Sequence, residues 1–352
     1  MPSNRSFVNA VYYPSWRVYK GLPPSTMQLD YINRIYYAFV RLNSDGSLRF
    51  LDEFADCNKE VDGEKGCLGA IAKLKRQRPG LQTLVSVGGG SGSAEFPDVA
   101  ADPKRRATFA DSCRQFVDQY EFDGVDLDWE HPTTAEEGEN YLALLNDLRD
   151  VLPSSQYLLA TALPTGEYCL KHINVKAAAQ LLDTLNLMAY DFNGPWTDVS
   201  GHHAQLLPPP GRKDEVDPAL RNSCHIGVDR LLSRGFPASK IVLGVPVYAR
   251  SFAGARDVGQ SFTSATELDY NDLPRHWIRS ASVNPNVAAA SYIDDGREGK
   301  GFVSFDVPET VRRKAEYARG MGLGGLFFWT GVGDVNGPES LVRAGYEGLK
   351  NL

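Results

Sequence analysis

Short apolar runs alternate with helix-period stretches about eight times along this chain, and no other feature constrains its fold as tightly. The runs are Val8 to Trp16, Ile32 to Val40, Leu81 to Gly88, Phe122 to Pro132, Tyr157 to Pro164, Leu182 to Asp191, Ile241 to Tyr248 and Gly325 to Thr330. Between them, apolar residues recur at helical spacing: Leu68-Ile71-Leu74, Phe109 to Tyr120, Tyr141-Leu144-Leu145-Leu148, Val175 to Leu182, Val228-Leu231-Leu232, and Pro308 to Arg319 with proline in its first turn. That count predicts an α/β fold, a (β/α)8 TIM barrel, for which ~250 residues is typical. An open doubly wound sheet would carry a glycine fingerprint after its first strand. Tyr12-Tyr13-Pro14-Ser15-Trp16 stands there instead.

The chain has 352 residues, more than the barrel needs, and the surplus falls in two places. One is the polar, proline-rich connection from Val199 to Cys224. The other, Phe252 to about Gly301, is too long for a plain loop and has its own aromatic residues, Phe262, Tyr270, Trp277 and Tyr292. The expected organisation is a barrel of residues 1–252 and 302–352, with 253–301 forming a small α+β insertion between strand 7 and helix 7.

One run carries chemistry. From Phe122 to Pro132 it reads Phe-Asp-Gly-Val-Asp-Leu-Asp-Trp-Glu-His-Pro, so Asp126, Asp128 and Glu130 alternate with Val125, Leu127 and Trp129. Successive strand residues face opposite ways, which puts three carboxylates on one face and an apolar surface on the other. Like charges so close cannot all stay ionised, a condition tolerated mainly at functional sites. Barrel enzymes react at the C-terminal ends of their strands. Glu130 therefore reads as the proton donor, with Asp128 and Asp126 below it tuning it. Calcium binding is the rival, but an EF-hand loop needs glycine at its sixth position, and counting from Asp126 that residue is His131.

Composition narrows the partners. A net charge of -7 without a Lys/Arg stripe argues against nucleic acid. No run reaches the ~18 apolar residues of a membrane span. Met1 to Ser6 carries no signal-peptide core, so the chain is either cytoplasmic or the remainder after a leader is removed. Asn4-Arg-Ser, the one glycosylation pattern, favours secretion, and extracellular location is the expectation. The chain is expected to be a monomer without cofactor or metal. Of the five cysteines, Cys57 and Cys67 flank a polar loop they would close in an oxidising compartment, and Cys169 and Cys224 are a second candidate pair. Cys113 falls on an apolar helix face and reads as a buried thiol.

Taken together, these residues resemble the family-18 glycoside hydrolases, the chitinases, whose signature Asp-x-x-Asp-x-Asp-x-Glu is matched by Asp123, Asp126, Asp128 and Glu130. The likeness extends to Ser86-Val-Gly-Gly89, Met188-Ala-Tyr-Asp191, Tyr248-Ala-Arg-Ser-Phe252 and Gly325 to Trp329. It implies cleavage of β-1,4 bonds in chitin or chito-oligosaccharides by substrate-assisted catalysis, in which the sugar's own acetamido group attacks its anomeric carbon. By the same likeness, Glu130 is acid and then base, Asp128 orients the acetamide, Asp126 takes up a shared proton and Tyr190 holds the acetamide oxygen. Trp329 would floor the site, and Tyr12, Trp16, Phe39, Gly89, Met188, Asp191, Tyr248 and Arg250 would contact sugar. Asp123 and Ser86 would support from behind.

Two departures stand out. The family often has Gly-Gly-Trp after the third strand, whereas Gly88-Gly89 is followed here by Gly90 and Ser91, which removes an aromatic platform on the aglycon side. Ala249 replaces a common glycine. The insertion is also shorter than in many members, implying a lower wall beside the groove. A chitin-binding lectin and an endo-β-N-acetylglucosaminidase acting on N-glycans are the alternatives. The intact Glu130 argues against the first, and Trp129, Met-Ala-Tyr-Asp and the insertion against the second.

Overall fold

The computed structural model describes residues 7–212, 214–296 and 299–351. Eight parallel strands form its centre: β1 (Val8–Pro14), β2 (Arg34–Leu42), β3 (Gln82–Gly88), β4 (Gly124–Asp128), β5 (Leu158–Pro164), β6 (Thr184–Met188), β7 (Ile241–Pro246) and β8 (Gly325–Trp329). β1 pairs with β8 on one side and β2 on the other, so the sheet closes on itself as a (β/α)8 barrel and the doubly wound alternative falls away. Both faces of such a sheet are covered, which is why every residue of β2 and β7 is buried.

The strands stop short of the apolar runs that announce them. Ladder pairing of β4 with β3 ends at Asp128, which leaves Glu130 two residues past the strand. β6 likewise ends at Met188, with Tyr190 and Asp191 beyond it. At the other end, Gly124 is required by contact: a Cβ there would lie 1.9 Å from the Leu158 carbonyl oxygen on β5.

The two helices that flank β4 in sequence start where side chains satisfy their free N–H groups. Asp102 accepts from the Lys104 and Arg105 amides ahead of Pro103–Gln119, and Thr134 accepts from Glu137 ahead of Ala135–Val151. Tyr141, Leu144, Leu145 and Leu148 of the latter helix are fully buried and pack in one cluster with Val125 and Leu127 of β4.

After β7 the chain enters a five-stranded antiparallel sheet. Its order is Ser264–Asp269, Tyr248–Ala253, Gly301–Phe305, Ala289–Asp294 and Ser282–Asn284, with the short helix Arg275–Arg279 alongside. Trp277 stacks on Tyr292 at 5.3 Å, and Phe252 packs with Phe302 and Phe262. The sheet thus stands on the rim of the barrel at the mouth of β7.

Neither cysteine pairing forms, and all five thiols are free. Cys67 turns inward beneath Tyr13, its Sγ 3.6 Å from the hydroxyl, while Cys57 faces Tyr120 on the far side. Cys224 points at the Ala189 and Ala204 carbonyls, and Cys169 lies buried in the helix Glu167–Leu170. Asn4 lies outside the described residues. Among those described, no helix is long and apolar enough to cross a membrane.

Candidate active site

β4 carries the centre of the site. Because its side chains alternate, Asp126 and Asp128 point into the barrel while Val125 and Leu127 face the helices. Asp126 is wholly buried and tethered by three groups. Its Oδ2 accepts from the Tyr12 hydroxyl at 2.7 Å and the Ser86 hydroxyl at 2.8 Å, and its Oδ1 from the Asn186 amide at 3.2 Å. Asp128, one step up, is also buried, and its Oδ1 has no hydrogen-bond partner among the described residues. Glu130, half-buried at the top, has its backbone N–H bonded to Ser93 Oγ at 2.9 Å.

Burial dominates the electrostatics of these acids. It pushes Asp126 up to about 6 even though Tyr12, Ser86 and the Arg34 charge pull the other way. Asp128 rises well above the carboxylate range, first through burial and then through the charges of Glu130 and Asp126, with Arg41 opposing. Glu130 is raised by burial and by Asp191, and drawn down by the Gly90 N–H. A group that keeps its proton toward neutral pH is what a general acid needs. Asp191 goes the other way. Burial pushes it up, but His203, whose Nδ1 is 3.9 Å away, and the Arg250 guanidinium bring it down to about 2.

Asp191 is held from several sides. Its Oδ1 accepts from the Tyr248 hydroxyl at 2.8 Å and from Arg250 Nη2 at 2.8 Å, and its backbone sits at φ 59°. That left-handed conformation is strained for a non-glycine residue and persists only where the surroundings enforce it.

Aromatic rings form the floor. Trp329, at the end of β8, lies 5.5 Å from Tyr12, 5.7 Å from Phe39 in a stacked arrangement, and 6.5 Å from Trp16. Gly89 lets Phe39 in, since a Cβ there would come within 2.6 Å of the ring. The resulting cleft, about 350 Å³, is lined by Tyr12, Phe39, Asp128, Glu130, Met188, Tyr190, Asp191, Tyr248 and Trp329. Trp16 and Arg250 border it, and Trp16 also lines an adjoining pocket with Glu267.

Fourteen of the fifteen residues singled out from the sequence thus converge on this cleft or directly behind it. Asp123 does not. Its carboxylate accepts from the Thr83 N–H and from Lys75 at the opposite end of β4, where it ties two strands and a helix. Sequence reading passed over Asn186, whose parity with Met188 on β6 marks it as inward. It also missed Ser93, Arg41 and His203, which act through loops that no local pattern reveals. Two exposed aromatics are further additions: Tyr168, whose ring is 5.2 Å from His131, and Trp196, over which the Arg250 guanidinium lies at 5.0 Å.

An acid at the mouth of a closed barrel, over buried carboxylates and beside stacked aromatic rings, is the layout of a barrel glycosidase. Residues 8–334 match the model of the glycosyl hydrolases family 18, and the chain belongs to that family. It is 31% identical to Chitinase 1 of Aphanocladium album, covering 97% of this chain and 85% of that one. It is 30% identical to Endochitinase 1 of Metarhizium robertsii, covering 96% and 84%. Among solved structures, it resembles the Ostrinia furnacalis Group IV chitinase in complex with allosamidin, with a TM-score of 0.85 and 27% identity over 98% of this chain and 99% of that one.

Proposed function

We propose that the chain is a chitinase that cleaves β-1,4 bonds between N-acetylglucosamine units with retained configuration through an oxazolinium intermediate. One observation carries the mechanism: Asp128 presents a buried, unpartnered oxygen in the cleft beside Glu130. A buried acceptor without a donor costs about 1–3 kcal/mol, and the N–H of a bound acetamido group would satisfy it. The other carboxylates lining the cleft are Asp191, engaged by Arg250 and Tyr248, and Glu267, paired with Arg250 at 3.2 Å, and both are poorly disposed to attack carbon.

The residues then divide the work. Glu130 gives its proton to the glycosidic oxygen as the acetamide oxygen bonds to the anomeric carbon, the bond from that carbon to the glycosidic oxygen breaks, and the aglycon leaves as an alcohol. Asp128 holds the acetamide N–H and offsets the positive charge that develops there. Tyr190 and Asp191 hold the same sugar, which lies on Trp329. Water next attacks the anomeric carbon from the vacated side, Glu130 takes its proton and the ring opens back to the acetamide. Asp126 accepts the proton shared with Asp128 while Tyr12, Ser86 and Asn186 hold it still. A polymer of this kind is met outside the cell, so this reading goes with secretion.

Chitin hexamer is the discriminating substrate. Shorter oligomers whose new reducing ends are initially β are expected, as followed by NMR or rapid chromatography. Binding of the hexamer with no product from pH 4 to 9 (a range of about five units spanning the ordinary carboxylate and histidine pKa values) defeats hydrolysis and leaves the lectin alternative. Initial α-anomers would exclude the oxazolinium route.

The departure at Gly90 supplies a second test. A Cβ there would sit 3.6 Å from Glu130 Oε2, in ordinary contact, so a side chain at this position reaches the aglycon side of the acid. Gly90→Trp is expected to lower KM for long oligomers roughly threefold to tenfold, the equivalent of one stacked ring, and to raise transglycosylation. An unchanged product profile would count against that role.

A further inference from the structure

Arg41 is an anomaly behind the loop that follows β3. It is 8% exposed, yet its two guanidinium bonds go to neutral oxygens: Nη1 to the Gly88 carbonyl and Nη2 to Ser91 Oγ, both at 2.8 Å. None of the described carboxylates forms an ion pair with it. An Arg buried on a barrel strand without a counterion is costly unless its charge or its geometry is used.

The loop that receives it is shaped around it. Residues 88–92 read Gly-Gly-Gly-Ser-Gly, and a Cβ on Gly92 would lie 1.5 Å from Arg41 Nη1. The guanidinium also lies 6.0 Å from the centre of the Phe39 ring, on the same strand. From this fixed loop several bonds run to the acid strand. The Gly89 N–H donates to the Asp128 carbonyl at 2.8 Å, and Ser93 Oγ accepts the Glu130 N–H while donating to the Gly89 carbonyl at 3.0 Å. The Gly90 N–H meets the Glu130 carboxylate itself.

We infer that Arg41 is a positioning residue for the reaction: it pins the 88–93 loop that seats Glu130 and sets its positive charge against Asp128. This inference rests on the hydrolase reading above. The space beside the acid is organised from β2 by an arginine, and Gly92 leaves the room that its guanidinium fills. Facing this guanidinium are Asp128 from β4 and Arg49, the cross-strand partner on Leu48–Phe50; Glu130, Asp126 and Asp191 complete the charges of the site.

The test compares Arg41→Met, Arg41→Gln and Arg41→Lys with the unmodified chain on a soluble chito-oligosaccharide across pH. The two neutral variants are expected to lose about 30-fold or more in kcat, roughly 2 kcal/mol of transition-state stabilisation, with KM changed less than threefold. Their acid limb should move to higher pH, because removing a cation makes Asp128 easier to protonate. Arg41→Lys keeps the charge but not the fork, so its acid limb should stay in place while kcat falls about fivefold. Added guanidinium at non-denaturing concentration should restore part of the loss in Arg41→Gln. An acid limb unmoved in the neutral variants, or a loss confined to KM, would overturn the inference. Should Arg41→Met not fold, Arg41→Lys and Arg41→Gln decide the matter by the same limb. An inactive unmodified chain defeats the hydrolase reading, whereas an active one with unaffected variants defeats the role of Arg41 alone.

Discussion

Glu130→Gln is expected to reduce kcat on chitin hexamer by about three orders of magnitude while the affinity for the same oligomer stays within a few-fold. The amide has the shape of the acid but no proton to give, and general acid catalysis is worth about 10²–10⁴-fold. Unfolding can be ruled out by the sign of the stability change. Glu130 is raised by burial and by the charge of Asp191, and it in turn raises Asp128, so its carboxylate is a destabilising neighbour above its own pKa. The glutamine variant should therefore melt no lower than the unmodified chain at pH 7, and binding followed by quenching of Trp329 should persist. If kcat falls less than tenfold, the proton donor lies elsewhere.

A larger effect on stability is expected where the five-stranded antiparallel sheet joins the barrel. Lys314 on the helix Pro308–Gly320 and Asp306 ahead of it are 0% and 3% exposed, with Nζ 2.6 Å from Oδ2. Thr310 Oγ1 donates to the other carboxylate oxygen at 2.7 Å. Lys314→Met strands a buried carboxylate, and breaking such a pair costs about 3–5 kcal/mol. The thermal midpoint should drop by about 5 °C or more. Asp306→Leu in the same chain should recover most of it, because replacing both ions removes the uncompensated charge. A drop of less than 1 °C in the single variant (about 0.7 kcal/mol or less at this chain length) would show that water reaches the pair.

These two sites differ in how visible they are beforehand. Glu130 announces itself, because strand alternation groups it with Asp126 and Asp128 and the run ends there. Lys314 and Asp306 do not, since an eight-residue separation between a loop acid and a helix lysine looks like ordinary surface charge. The same contrast holds within the site. Tyr12, Tyr190 and Trp329 sit in or just past apolar runs at the ends of strands, and those runs carry them to one rim. Asn186 shares that periodicity and could be read from it. Arg41 and Ser93 could not, because their importance lies in a loop and an acid from other strands.

Local order along the chain was enough to establish the eightfold repeat, the barrel and the face of β4 that carries three acids. Each of those follows from the two-residue period of a strand and the 3.6-residue period of a helix, which are properties of neighbours in sequence. Closure of the sheet then decided the rest. It brought Tyr12, Ser86 and Asn186 from three other strands onto Asp126, left one oxygen of Asp128 without a partner, and set Arg41 behind the loop beside Glu130. Burial and the charges gathered by that closure shift the acids, and neither is a property of any segment alone.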